Sequence, residues 1–264
     1  MSTAGNWFRF LWTCWKLNLA GAMEFRMSFL LTAGMMIVND LVWILFWGIY
    51  FAKFSGVNGW EFRDVAMMWS IAAGGAGIVG TFFGNANRLS GLISTGQLDA
   101  YLVQPKPVLL HVLVSRMSVA SIGDILFSLL LYGYSGELTI AGFAKYMLGL
   151  AITAMIFLFF AVAVHSLSFY IGNAEGLAVQ LYNSILAFAT YPTDIFRGWG
   201  RILLFTAIPA GFISFMPLGL LKETQVPFLL GAFGAALLST AGGIAFFYRG
   251  LRRYSSGNKM TLRM

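Results

Sequence analysis

Residues 200–221 read GRILLFTAIPAGFISFMPLGLL. The stretch is apolar enough to enter a membrane, and whether it crosses one decides the topology. Pro209, Gly211, Pro217 and Gly219 interrupt it. Proline removes a helical hydrogen bond and clashes with the preceding turn. If the stretch spans, the chain has seven spans and its termini lie on opposite sides. If it does not, there are six spans and both termini share a side.

The charges choose between these. The N-terminal region carries Arg9, Lys16 and Arg26, and the C-terminal tail carries Arg249, Arg252, Arg253, Lys259 and Arg263. Basic residues collect on the cytoplasmic side of membrane proteins, so both ends are placed there. Six spans follow, with residues 192–226 as a broken, partly re-entrant hairpin on the outer side. Irregular backbone at membrane depth is tolerated only where protein or a cavity surrounds it. The assignment is consistent along the chain. Arg88 and Lys106 join the basic ends inside, opposed by Glu24, Asp99 and Glu175. Outside, Lys53, Arg63, Lys145, Arg197, Arg201 and Lys222 nearly balance Glu61, Asp64, Glu137, Asp194 and Glu223.

Composition agrees with a polytopic all-α membrane protein. Of 264 residues, 59% are hydrophobic and 10% are charged, where a soluble domain carries roughly 25% charged residues. Mean hydropathy is +0.78. The net charge of +7 is explained by cytoplasmic loops and calls for no nucleic acid. Cys14 stands alone, so no intrachain disulfide is expected. Residues 1–10 lack the pattern of a cleavable signal peptide, which leaves insertion to the first span. The expected spans are about 27–51, 65–84, 112–134, 143–169, 177–191 and 227–248. A helix of about 20 apolar residues crosses a hydrocarbon core of about 30 Å. The whole of residues 1–264 reads as one transmembrane domain.

Before the first span, residues 6–25 form a helix that does not cross. Arg9, Thr13, Lys16 and Glu24 fall within an arc of about 80° at 100° per residue. Trp7, Trp12 and Trp15 crowd the rest, as in a helix lying in the interface plane. The alternative is a solvated helix packed on its neighbours. In the second span, Gly80 and Gly84 have the spacing of a close helix contact, either between subunits or within the chain.

Ionisable groups within spans are candidate functional groups. Asp40 and Asp124 both fall near mid-membrane, as a cation or proton site or as hydrogen-bonded structural carboxylates. Arg116 reaches the headgroups. His165 reads as a satisfied core histidine, and Glu175 as a cap at a helix N-terminus. No Walker A motif is present, since the chain has no Gly-Lys pair. Leu89-Ser90-Gly91 with Gly96-Gln97 is too interrupted for an ATPase signature. No metal site and no activated nucleophile are expected, and the chain is not read as an enzyme.

The polar interval 85–110 is longer than a connector requires, and is amphipathic and cytoplasmic. Within it, Gly96-Gln97-Leu98-Asp99-Ala100-Tyr101-Leu102-Val103-Gln104-Pro105-Lys106-Pro107 resembles the G-x-[IL]-D-x-[YL]-L-[VL]-x-P-x-[PS] stretch of ABC-2 type transporter membrane subunits. The resemblance is greatest to permeases paired with a separate ATPase. Tyr191-Pro192, Phe196, Trp199, Pro209-Ala210 and Pro217 are similar to a second pattern of the same branch.

The resemblance implies a membrane subunit of an ATP-driven exporter. It would act as a dimer with an identical or related permease, above two ATPase subunits that bind ATP and Mg. This chain would carry no cofactor of its own. The ATPase-coupling surface would be Arg9, Lys16 and Glu24 of the interfacial helix with Arg88, Leu89, Gly96, Leu98, Asp99, Tyr101, Leu102, Pro105 and Pro107. The pathway or gate would involve Asp40, Asp124, Tyr191, Pro192, Phe196, Pro209 and Pro217. The implied setting is a prokaryotic inner membrane, and the implied substrate a hydrophobic or amphipathic small molecule. This chain departs from the family in one respect: its outer hairpin is short and contains no cysteine, so nothing in it resembles a large extracellular domain. Two other readings stand beside this one: a self-sufficient ion- or proton-coupled transporter using Asp40 and Asp124, and a scaffold that transports nothing.

Overall fold

A computed structural model describes residues 3–54, 59–213, 219 and 226–255. It is all-helical, with 81% helix and no strand among the described residues. Helices α1 (Thr3–Ala22) and α2 (Arg26–Lys53) are joined by a 3-10 turn, Met23–Phe25. Phe25 leaves the helical region at φ −106°, ψ 74°, so the chain changes direction there. After α3 (Phe62–Phe82) comes a 3-10 segment, Gly84–Arg88. Short helices follow: α4 (Leu89–Ser94), α5 (Asp99–Leu102) and α6 (Val108–Val114). The bundle continues with α7 (Ala120–Ser135), α8 (Ile140–His165), α9 (Ser168–Ile171) and α10 (Glu175–Ala189). A 3-10 turn (Thr193–Ile195) and α11 (Trp199–Leu204) precede the last helix, α12 (Val226–Leu251).

Four stretches are long and apolar enough to cross a membrane: Asn6–Lys53 taken as one, Phe62–Phe82, Ile140–Ile171 and Val226–Leu251. The expected first, fourth and last spans fall within them, and the expected second overlaps Phe62–Phe82 and runs two residues past it. The expected third and fifth spans are shorter helices, α7 with 16 residues and α10 with 15.

The third expected span, 112–134, is not one helix. It breaks between Val114 and Ala120, and the exposed Arg116 lies in the break rather than within a helical turn. The break is held by the end of α3. Ser118 N–H donates to the Gly80 carbonyl at 2.8 Å, and Gly84 N–H to the Arg116 carbonyl at 3.0 Å. The Asn85 amide donates to the Val112 carbonyl at 3.0 Å and to Ser115 Oγ at 2.8 Å. Backbone groups freed by the break therefore find partners inside the protein, as hydrocarbon requires.

At the centre lies α3, where 78% of the apolar window is buried, against 17% for α12 and for Asn6–Lys53. Small residues allow this. A Cβ on Gly77 would come within 2.8 Å of Ile125 Cγ1 and 2.9 Å of the Ile125 backbone nitrogen. Gly80 abuts Ser121, and a Cβ on Gly84 would come within 2.9 Å of the Arg116 carbonyl oxygen. The Gly80-x-x-x-Gly84 pair thus packs within the chain, against the start of α7 and the break before it. Deeper in, Ser70 Oγ donates to the Ser128 carbonyl at 2.7 Å, Ser128 Oγ returns a bond to the Ser70 carbonyl, and Tyr146 joins both hydroxyls. Such reciprocal bonds substitute for the hydrophobic drive that lipid does not supply between helices.

Candidate functional site

Two places collect the residues singled out in the sequence. The first is a platform where α1 lies across the ends of α3 and α6. A helix leaves its last four carbonyls without intrahelical partners. Here α1 supplies two of them: Trp15 Nε1 donates to the Phe82 carbonyl at 3.0 Å, and Asn18 Nδ2 to the Val114 carbonyl at 3.0 Å. The Lys106 ammonium sits 5.1 Å from the Trp7 ring centre and 4.9 Å from that of Phe10. Cation–π attraction at such distances is worth about 0.5–1 kcal/mol where solvent reaches. His111 packs edge-on between Phe10 and Tyr101, with centroids 5.2 and 5.1 Å away. Burial, then the nearby Lys106 charge, hold its pKa below the ordinary histidine range.

The interval 85–110 is an ordered, docked segment. Leu89 and Leu98 are fully buried and anchor it. Gly96 takes a positive φ of 75°, a conformation glycine adopts without a Cβ penalty, and so turns the chain between α4 and α5. Ser90 Oγ lies 2.7 Å from His165 Nδ1. His165 is fully buried, with Nε2 unpartnered among the described residues. Glu175 lies in the first turn of α10, and its carboxylate faces Gly91. The Tyr101 hydroxyl is 2.9 Å from Ser115 Oγ. Asp99 lies beside Tyr254, whose phenol is pushed up by burial and by that carboxylate. Arg9, Lys16, Glu24, Arg88, Leu102, Pro105 and Pro107 remain exposed on this end. The aromatic cradle of Trp7, Phe10 and His111 was not among the expected coupling residues. Its sequence signal was the tryptophan crowding in residues 7–15, which reads equally well as a membrane anchor.

The second place is a cavity of about 310 Å³ between α2, α3, α7, α8 and α10, lined by both Asp40 and Asp124. The two acids are neighbours on this cavity. The Asn39 amide donates to Asp40 Oδ1 at 3.5 Å, and Asp40 Oδ2 is buried without a partner among the described residues. Asp40 is 4% exposed and Asp124 8%. Asp40 sits midway along α2. Asp124 sits in the second turn of α7, because the break at 115–119 separates α6 from the rest of the expected span. Aromatic rings line it as well: Trp43 stacks on Trp69 with centroids 6.2 Å apart, and Tyr191 joins them in the lining. Trp43 and Trp69 carried no signal in the sequence beyond their apolar setting.

The other expected gate residues that are described, Pro192, Phe196 and Pro209, do not line this cavity. Pro192 is buried, and Phe196 packs edge-on against Phe188 at 5.5 Å. Pro209 is half-buried and lines a separate apolar cleft between α8 and α12. Trp60 Nε1 donates to Asp194 Oδ2 at 2.9 Å, tying this segment to the start of α3. Pro217 lies outside the described residues.

Compared with known families, the chain matches ABC-2 family transporter protein over residues 37–257. The chain belongs to the ABC-2 transporter family. No curated protein and no solved structure matches it. The matched range takes in the acidic cavity, the docked interval and the segment around Tyr191, while α1 precedes it. An ABC-2 family chain of this kind is a membrane component of transport rather than a catalyst, and ABC-2 permeases in general work with ABC ATPase partners.

Proposed function

We propose that this chain is the permease subunit of an ATP-driven exporter, working as a dimer on separate ATPase subunits. The supporting observation is the platform, where α1 is held to the docked 85–110 interval through Lys106 and to α3 and α6 through Trp15, Asn18 and His111. A surface fastened in this way to the ends of α3 and α6 transmits a push. ATP and Mg bind in the partner, and closure of the ATPases moves the platform. The break at 115–119 passes that movement to α7, which carries Asp124 into or out of the cavity. The substrate leaves past Tyr191, Pro192 and Phe196. This reading keeps six spans, with both termini and the platform in the cytoplasm of a prokaryote and the 192–226 segment outside.

The test is an affinity pull-down of the tagged chain from mild-detergent membranes of its native cell, followed by mass spectrometry. A co-purifying soluble ATPase, lost when residues 96–107 are replaced by a Gly/Ser linker, is expected. A chain that emerges alone where known transporter complexes survive ends the proposal. The proximity of Asp40 to Asp124 favours a second reading, a gradient-driven carrier. That reading requires flux from this chain alone in liposomes and its loss in Asp40→Asn.

A further inference from the structure

We propose that the cavity between α2, α3, α7, α8 and α10 is a binding site for an amphipathic organic cation with one positive centre and a nearby hydrogen-bond acceptor. The inference rests on the exporter reading and names its substrate class.

Three observations converge on this occupant. The first is charge. Asp40 and Asp124 are both buried on this cavity, and Asp40 Oδ2 has no hydrogen-bond partner among the described residues. A carboxylate charge at membrane depth is costly unless paired, and the described lining includes no lysine or arginine to pair it. A bound cation supplies the missing partner. The second is the wall. Trp43 and Trp69 stack on the same cavity, and indole faces attract cations while accepting apolar groups. The third is independent of the acids. Trp69 is 7% exposed, and its Nε1–H is buried without an acceptor among the described residues. An indole N–H ordinarily finds a partner when buried. Here the ligand provides it.

Size and access agree. Ligand pockets run from about 300 Å³ upward, and this cavity is about 310 Å³. Asn39 and Trp43 of α2 and Ala187 of α10 line it and are themselves exposed. The site therefore opens sideways between α2 and α10, toward whatever surrounds the protein in the bilayer. An amphipathic cation would reach it from the lipid rather than through a water-filled pore.

The test uses the full chain in nanodiscs, with any ATPase that co-purifies, and equilibrium dialysis against empty nanodiscs. Tetraphenylphosphonium and tetraphenylborate have nearly the same shape and opposite charge. Saturable binding of the phosphonium ion alone is expected, and Asp40→Asn or Asp124→Asn should each weaken it by about tenfold or more. Ala73→Leu fills the cavity from its wall, leaves both carboxyls in place and should also abolish binding. Rhodamine 6G, a cation bearing an ester carbonyl, probes the indole: Trp69→Phe should weaken rhodamine but leave the phosphonium ion within about twofold. Equal saturable binding of both tetraphenyl ions overturns the proposal. So does unchanged phosphonium affinity in the Asp variants and Ala73→Leu, each checked as monodisperse. Equal effects of Trp69→Phe on both cations overturn the acceptor. The co-purified fraction separates the two readings. An ATPase without cation binding refutes this inference alone, and cation binding without an ATPase refutes the exporter reading alone.

Discussion

His111 shows how much one side chain can govern at the platform. Its ring bridges Phe10 of α1 and Tyr101 of the docked interval, and Nδ1 is buried without a partner among the described residues. Its pKa is lowered in the folded protein, so the neutral form is favoured there. When α1 detaches, the pKa rises toward its ordinary value of about 6.5. Attachment is then complete above about pH 6.5 and weakens as pH falls below it. Hydrogen exchange of residues 3–22 at pH 5.5 should run faster than at pH 7.5, beyond the intrinsic pH effect. His111→Phe should remove that excess. Asn85 makes a comparable contribution in the break, where one amide satisfies two acceptors. Asn85→Ala should cost roughly 1–3 kcal/mol, the usual cost of stranding buried partners. Midpoints of denaturant unfolding in mixed micelles would measure it. Neither role was legible in the sequence, because both depend on partners brought by the fold.

Among the elements, α3 was legible as a span and its small residues as a packing face, but not the identity of the partner. The structure gives that face to α7 and α8. Gly77→Ala places a methyl against a backbone nitrogen that cannot yield and should lose roughly 1–3 kcal/mol, as overpacking does. Gly34 of α2 has open space around its Cβ position, and Gly34→Ala should be neutral or stabilising by up to about 1 kcal/mol. Size-exclusion profiles after a temperature series would order the two. The interruption of α6 and α7 escaped sequence reasoning for a clear reason. Val112–Val114 and Ala120–Leu131 are mostly apolar on both sides of it, and hydropathy averages across the gap. Its causes, Gly80, Gly84 and Asn85, sit at the end of another helix. The acids were noticed because each stood alone among apolar neighbours. Their proximity was not, since nothing local relates Asp40 to Asp124.

For the molecule as a whole, orientation follows from charge and can be read directly. In a Cys14→Ser background, Arg197→Cys should react with a membrane-impermeant maleimide on intact cells, and Arg88→Cys only after permeabilisation. The reverse pattern would invert the topology. Labelling of both residues from one side would end the six-span reading.

The central place of α3 has a consequence for how the protein is made. Its buried face is covered by helices that come later in the chain, with α8 ending at His165. At roughly 5–20 residues per second, several seconds of synthesis separate Phe82 from the close of α8. Throughout that interval Ser70 and the glycine row face lipid or an insertion factor instead of their final neighbours. Biogenesis therefore has a waiting stage, with α3 inserted but uncommitted. Lesions in α7 should reach the cell as premature degradation of the nascent chain, before any effect on transport could be seen.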